Sequence, residues 1–168
     1  MNLLLLATVV FVPMLFETVV SIRNERELRA MGATEPHGDV YHLMQLAYPA
    51  AFVAMLLEGW LRGGAVTTPV AAGFALFVGA KVLKYWAIVS LGPRWTFRVL
   101  VPPGSSLVVL GPYRMLRHPN YLGVMGELVG AALIARAPIA GSLAVIVFAL
   151  LIRRRIIVEE RALGLRMP

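Results

Sequence analysis

Polar and aromatic side chains gather in one segment of an otherwise apolar chain, GPYRMLRHPNYLG at positions 111–123. Pro119 suits the first turn of a helix, where its missing N–H is not needed. The free backbone N–H groups of such a helix start attract an anionic or polar ligand group. His118, Asn120 and the nearby tyrosines can hydrogen-bond to a ligand and stack on a base. The segment therefore predicts a ligand site, and a plain interfacial anchor of arginine, histidine and tyrosine is the alternative.

A second candidate segment is RRRIIVEERAL at positions 153–163. Arg155 and Glu159 are four residues apart, so on a helix they share one face. One interpretation is that Glu159 holds a cationic ligand group while Arg155 orients an anionic or carbonyl group. The other is a basic stop signal followed by a surface ion pair worth a few tenths of a kcal/mol.

Ionisable residues also occur inside the long apolar runs, where they are costly and often functional. These residues are Glu17, Glu58, Lys81, Lys84 and Glu127. Lys81 and Lys84 are three residues apart and share a helix face. The structural interpretation is that Lys84 reaches to the membrane interface while Lys81 pairs with Glu17 or Glu58.

Glu127 lies nine residues beyond His118, about 13 Å along a helix. That spacing lets it line a cavity that opens at the same end of the protein as His118. A structural hydrogen bond to a neighbouring helix is the alternative. We expect no metal site and no thiol chemistry, because ligand side chains do not cluster along the chain and cysteine is absent.

The elements that carry these residues are membrane helices. Hydrophobic residues make up 59% of the 168 residues and charged residues 15%, and the mean hydropathy is +0.77. In a soluble domain, hydrophobic residues make up about 45–50% and charged residues about 25%. We therefore predict an all-α integral membrane protein that forms one domain over residues 1–168.

Five spans are predicted, because roughly 20 apolar residues cross the hydrocarbon. The last two are short and should form a tight helical hairpin, whose second arm continues to about Leu163. The first is expected to be a retained helix rather than a signal peptide, since it lacks a basic n-region. The loop between spans three and four contains Pro and Gly breakers. The predicted spans are 1–22, 41–61, 68–91, 121–135 and 139–152.

The basic residues predict the orientation of these spans. One side of the membrane receives ten arginines between Arg23 and Arg155, and the other receives only Arg62 and Arg136. The positive-inside rule makes the first side cytoplasmic. The same rule also accounts for the net charge of +7. We exclude nucleic acid as a partner, because the sequence has no nucleic-acid-binding motif.

Two motifs in these segments carry a family resemblance. G-P-Y-x-x-x-R-H-P-N-Y-x-G followed by R-x-x-x-E-E-x-x-L resembles the isoprenylcysteine carboxyl methyltransferase family of membrane enzymes. The match covers roughly residues 80–163 and looks like the bacterial branch of the family. The chain departs from the pattern after Leu163, where members commonly continue into an aromatic-rich tail.

The resemblance implies a pocket for S-adenosylmethionine on the cytoplasmic side, within a cofactor-binding part at about 92–163. The 92–121 loop and the C-terminal helix would form it. Glu159 would hold the amino group of the cofactor, and Arg155 would act on the substrate, with Glu127 or His118 as proton acceptor. The remaining cofactor contacts would be Ser106, Leu107, Val108, Gly111, Tyr113, His118, Pro119, Asn120 and Tyr121.

The function implied by the resemblance is methyl transfer from S-adenosylmethionine to an oxygen of a lipophilic substrate, leaving S-adenosylhomocysteine. The acceptor would be a carboxylate, or a phenol or enol, of an isoprenylcysteine-like or polyketide-derived lipid that enters from the bilayer. The expected location is the bacterial inner membrane, without an obligate protein partner. A membrane sterol-reductase-like enzyme that uses NADPH has a similar R-H-x-N-Y-x-G segment and is one alternative. A non-enzymatic transporter is the other.

Overall fold

The computed structural model describes residues 3–63, 69–104 and 107–165, and within them it confirms the all-α prediction. Apart from the helices, these residues form two short 3₁₀ turns, Gly92–Arg94 and Gly111–Arg114, and one antiparallel bridge between Thr34 and Val101. The five helices are α1 (Leu3–Ala30), α2 (Tyr41–Leu61), α3 (Pro69–Leu91), α4 (Pro119–Ala135) and α5 (Pro138–Ala162).

The helix boundaries follow the local breakers. α1 extends beyond the predicted span of 1–22 and continues past Pro13 to Ala30, two residues before Gly32, whose φ of 82° is left-handed. α4 begins at Pro119, as its proline predicts, with His118 directly before it. α5 runs through the three arginines at 153–155 as one continuous helix, so the predicted extension beyond the apolar part is confirmed.

α4 and α5 form the predicted tight hairpin. Arg136 ends α4 in the left-handed conformation, with a φ of 57°. The backbone N–H of Ala137 donates to the carbonyl of Ala132 at 3.0 Å, which satisfies one of the last carbonyls of the helix. Pro138 then occupies the first position of α5, where no N–H is required.

α3 and α4 approach each other closely along a row of glycines on α4. A Cβ at Gly123, Gly126 or Gly130 would lie only 2.8 or 2.9 Å from the Cβ atoms of α3 side chains. Small residues of this kind let two membrane helices pack backbone to backbone. The row fixes the position of α4, and with it the polar residues at the start of that helix.

Three of the described helices have the length and apolar composition of membrane spans: 4–30, 41–61 and 71–94. α4 is apolar but shorter, with 17 residues. Large apolar side chains on the outer faces are exposed, as expected where lipid covers them. They include Leu15, Val19, Leu46, Val89 and Ile146.

The predicted topology places residues 23–40, the loop after α3 and the end of α5 on the same side. Long-range contacts join these segments at one end of the bundle. Asn24 donates to the carbonyl of Trp95 at 2.8 Å. Arg155 pairs with Asp39 at 3.1 Å. These contacts bring the candidate segments together with the loop that precedes α2.

Glu58 belongs to the opposite end of the bundle. Its carboxylate accepts the backbone N–H of Ala140 at 2.7 Å and that of Ile139 at 3.2 Å, which satisfies donors in the first turn of α5. It also pairs with Arg62 at 2.9 Å. Of the two partners predicted for Lys81, the structure therefore excludes Glu58, which joins α2 to the start of α5 instead.

The other four intramembrane charges form what we call the ion cluster: Glu17, Lys81, Lys84 and Glu127. Glu17 lies 3.1 Å from Lys81 and 2.6 Å from Lys84, and Glu127 lies 3.1 and 3.4 Å from the same two lysines. Lys84 is only 2% exposed. The prediction that it reaches to the interface is wrong, because carboxylates on α1 and α4 compensate its charge inside the bundle. The pairing of Lys81 with Glu17 is confirmed.

Candidate active site

Arg155 is the centre of the polar site at the end of the bundle. It is 5% exposed, so it is not half of a surface ion pair. Its Nε donates to the hydroxyl of Tyr121 at 2.9 Å and one terminal nitrogen donates to Asp39 at 3.1 Å. The other terminal nitrogen donates to the backbone carbonyl of Phe97. A guanidinium presents its five N–H groups in a rigid plane, so three such partners fix its orientation.

Tyr121 connects Arg155 to Glu159. The tyrosine hydroxyl donates to Oε2 of Glu159 at 2.7 Å while it accepts from Arg155. The sequence predicted that Arg155 and Glu159 share a face, and the structure places both beside one hydroxyl. The Glu159 side chain is 30% exposed, so its carboxylate remains accessible from outside the bundle.

His118 lies over the ring of Tyr121. The two rings are stacked, with centroids 5.5 Å apart and planes inclined by 23°. Nε2 of His118 lies 3.3 Å from Glu160, and Nδ1 lies 3.8 Å from Glu159. The histidine therefore faces two carboxylates of α5. We call Arg155, Tyr121, Glu159 and His118 the Arg155 cluster.

Asn120 and Tyr113 complete the neighbourhood of the cluster. The side-chain oxygen of Asn120 is buried and has no hydrogen-bond partner among the described residues. A buried acceptor without a donor is unfavourable unless a ligand or water supplies one. Burial and the nearby charge of Glu159 raise the pKa of Tyr113, which keeps its hydroxyl neutral and able to donate.

The remaining predicted cofactor contacts lie on or beside the loop after α3. Leu107 is exposed and Val108 is half-buried. Gly111 has a positive φ of 56°, and a Cβ there would lie 2.0 Å from the Ser90 hydroxyl, so only glycine lets the loop approach the end of α3. The prediction for Ser106 falls outside the described residues.

Glu127 is the predicted site residue that the structure places apart from the others. It is 1% exposed and contacts Lys81, Lys84 and the hydroxyl of Tyr48 on α2. Of its two interpretations, the geometry agrees with the hydrogen bond to a neighbouring helix and not with a cavity that opens beside His118.

Two acidic residues of the site have no role in the sequence-based prediction. Asp39 pairs with Arg155 from a position 116 residues earlier in the chain. It lies two residues before α2, and aspartate is common at the start of a helix, so its position gave no sign of a role in the site. Glu160 faces His118, and its only signal in the sequence is its place as the second glutamate of the EExxL motif.

Two bacterial proteins resemble most of the chain. The chain is 30% identical over 159 residues to YpbQ, an uncharacterized protein of Bacillus subtilis, and the match covers 95% of each chain. It is 26% identical over 150 residues to an uncharacterized protein of Haemophilus influenzae, which covers 89% of this chain and 87% of the relative. No solved structure matches the chain.

The family comparison covers the segments that carry the site. The family model of isoprenylcysteine carboxyl methyltransferases matches residues 72–164, more than half of the chain. The matched region includes most of α3, the loop after it, the start of α4 and the Arg155 cluster. Asp39, which contacts Arg155, lies outside it. The chain therefore belongs to the isoprenylcysteine carboxyl methyltransferase (ICMT) family, a family of membrane methyltransferases.

Proposed function

We propose that this protein transfers a methyl group from S-adenosylmethionine to an oxygen of a lipophilic substrate. The acceptor is a carboxylate, or a phenol or enol, of an isoprenylcysteine-like or polyketide-derived lipid. The substrate enters from the bilayer, and the site faces the cytoplasm at the bacterial inner membrane. No protein partner is required. Ten of the loop arginines lie on the side that carries the site and only two on the other side, and by the positive-inside rule this distribution supports the proposed orientation.

The observation that carries the proposal is the chain of contacts from Arg155 through Tyr121 to Glu159. It joins a fixed cation and an accessible carboxylate to the same hydroxyl. S-adenosylmethionine carries an ammonium group on its amino acid end and a sulfonium, while the acceptor presents an oxygen. The two ends of the chain of contacts match these two chemistries, the carboxylate for the cofactor and the guanidinium for the acceptor.

The residues present fit the cofactor in two further respects. The unpartnered buried oxygen of Asn120 needs a donor, and an exocyclic amine or a ribose hydroxyl can supply one. The stacked rings of His118 and Tyr121, at the same helix start, offer a flat aromatic surface. A nicotinamide cofactor carries phosphate groups instead, and these would meet the carboxylates of Glu159 and Glu160 unfavourably.

The chain contributes positioning more than acid–base chemistry. When bound, S-adenosylmethionine supplies a methyl group activated by its sulfonium. Glu159 holds a cationic group, and Tyr121 keeps that carboxylate in register with Arg155. Three of the five N–H groups of Arg155 donate to described residues. The other two can donate to the acceptor oxygen and orient it. Aligning the two reactants in a site that excludes water is a large part of the barrier reduction in such transfers.

The need for a proton acceptor depends on the substrate. A carboxylate attacks without one, whereas a phenol or enol must lose its proton. His118 belongs to the Arg155 cluster and is partly accessible, while Glu127 is held within the ion cluster. We therefore assign proton acceptance from a phenol or enol to His118.

Ligand-induced stabilisation of the detergent-purified protein tests the proposal. S-adenosylmethionine or its demethylated product should raise the melting temperature and NADPH should not, because only a ligand that binds the folded state stabilises it. In calorimetry, His118→Ala combined with Tyr121→Ala should weaken the binding of S-adenosylhomocysteine, while Leu46→Ala, on the lipid-facing surface, should not. Unchanged affinity in the double variant would exclude this placement of the cofactor, and stabilisation by NADPH alone would favour the reductase alternative.

A further inference from the structure

Asp39 is a buried carboxylate that belongs to no motif. Its side chain is 3% exposed although it lies in the loop between α1 and α2. Oδ1 accepts from Arg155 at 3.1 Å, and Oδ2 accepts the backbone N–H of Val99 at 3.0 Å. One side chain thus joins three segments that are distant in sequence: the loop before α2, the loop after α3, and α5.

The partners of Asp39 are themselves held in place by α1. The backbone N–H of Phe97 donates to the hydroxyl of Ser21 at 2.8 Å, and Asn24 donates to the carbonyl of Trp95 at 2.8 Å. Both Ser21 and Asn24 are buried. The segment at 95–99 is therefore fastened to α1, and it presents to Arg155 both the carbonyl of Phe97 and the N–H that orients Asp39.

This frame determines how the guanidinium can act. Asp39 and Phe97 together engage the two terminal nitrogens of Arg155, and Tyr121 engages Nε. The plane of a guanidinium bound in this way cannot rotate without breaking a hydrogen bond, so its remaining N–H groups have a fixed direction. Asp39 also compensates a charge that is 5% exposed and would otherwise be unfavourable at this depth.

We propose that Asp39 is a positioning residue for the methyl-transfer step, acting through Arg155 on the orientation of the methyl acceptor. The inference rests on the proposed function, in which Arg155 contacts the acceptor. It assigns a role to the part of the chain that precedes the family match at residues 72–164. A carboxylate that only fastened two loops together would affect folding and cofactor binding instead.

The test compares Asp39→Asn with Glu35→Gln. Glu35 is a matched control because it lies in the same loop and pairs with Arg29 and Arg98, so its loss removes one negative charge and loosens the same region without touching Arg155. Asparagine at 39 cannot serve both donors, since its amide would present N–H₂ to one of them. We expect Asp39→Asn to lower kcat on the order of 100-fold, because a small misplacement of a reacting group has that effect.

Two readouts separate positioning from a structural role. Affinity for S-adenosylhomocysteine should change little in Asp39→Asn, so that the loss falls on kcat. Arg155→Lys combined with Asp39→Asn should be no slower than Arg155→Lys alone, because residues that act as a unit are not additive. Equal kcat in Asp39→Asn and Glu35→Gln, or additive losses in the double variant, would overturn the assignment.

A spectroscopic measurement decides the point independently of turnover. In protein labelled with ¹⁵N-arginine, the Nε–H resonance of Arg155 is identified by its disappearance in Arg155→Lys. Asp39→Asn should shift or broaden that resonance, and Glu35→Gln should leave it in place. An unmoved resonance in Asp39→Asn would overturn the proposal. Absence of cofactor binding in the wild type would instead refute the proposed function, and the resonance would still report whether Asp39 orients Arg155.

Discussion

Replacing Arg155 by lysine is expected to lower turnover by about 10²–10³-fold, the effect typical of losing one oriented donor to a reacting oxygen. Lysine keeps the positive charge and can still reach one partner. It loses the planar arrangement that bonds to Tyr121, Asp39 and the carbonyl of Phe97 at the same time. The affinity for S-adenosylmethionine should stay near the wild-type value, because the proposed function assigns the cofactor to Glu159 and not to Arg155.

Arg154→Lys is the matched control for this variant. Arg154 is the neighbouring residue on the same helix and is exposed, so the same substitution there should leave turnover unchanged. Steady-state kinetics and calorimetry on the two variants separate chemistry from binding. Near-normal turnover in Arg155→Lys would contradict the assignment of Arg155 to the methyl acceptor.

Replacing Lys84 by methionine is expected to destabilise the protein by about 3–5 kcal/mol, the effect of leaving a buried charge without its partner. The ion cluster has two lysines and two glutamates, so its formal charge is balanced. Lys84→Met leaves Glu17 and Glu127 with Lys81 alone. The unfolding midpoint in detergent should fall well below that of the wild type.

The charge balance of the ion cluster can be restored by a second substitution. Glu17→Leu together with Lys84→Met leaves Lys81 and Glu127, which lie 3.1 Å apart and neutralise each other. The double variant should therefore be more stable than Lys84→Met alone, because a buried pair exchanged for apolar side chains is often tolerated. A double variant less stable than the single one would show that the lysine and the glutamate act separately.

Local features of the sequence were sufficient to predict the helices and the start of the site. α2 occupies the predicted residues 41–61, and Pro119 begins α4 as expected. The i, i+4 spacing of Arg155 and Glu159 put both side chains beside the same hydroxyl of Tyr121. Each of these inferences depends on residues close together in the chain, where helix periodicity and proline geometry act directly.

Contacts between distant segments could not be predicted in the same way. Lys84 is bound by Glu17 across 67 residues, and Arg155 by Asp39 across 116. Nothing near Lys84 distinguishes a lysine that extends to the interface from one that is paired inside the bundle, since both suit an apolar helix. The packing of α1, α3 and α4 decides between them. The same holds for Asp39, whose loop sequence carries no sign of its partner.

The affinity of Glu159→Gln for S-adenosylmethionine tests the account most directly, because it asks whether this carboxylate holds the cofactor. Removing a charge-assisted hydrogen bond in a partly dry site costs about 1.5–3 kcal/mol, or roughly a 10- to 150-fold loss of affinity. Glu27→Gln is the control, since Glu27 pairs with Arg23 in an exposed position, and this variant should bind S-adenosylmethionine as the wild type does. Calorimetry is expected to show a loss of that size for Glu159→Gln alone. Equal affinity in Glu159→Gln and the wild type would contradict the placement of the cofactor at the Arg155 cluster.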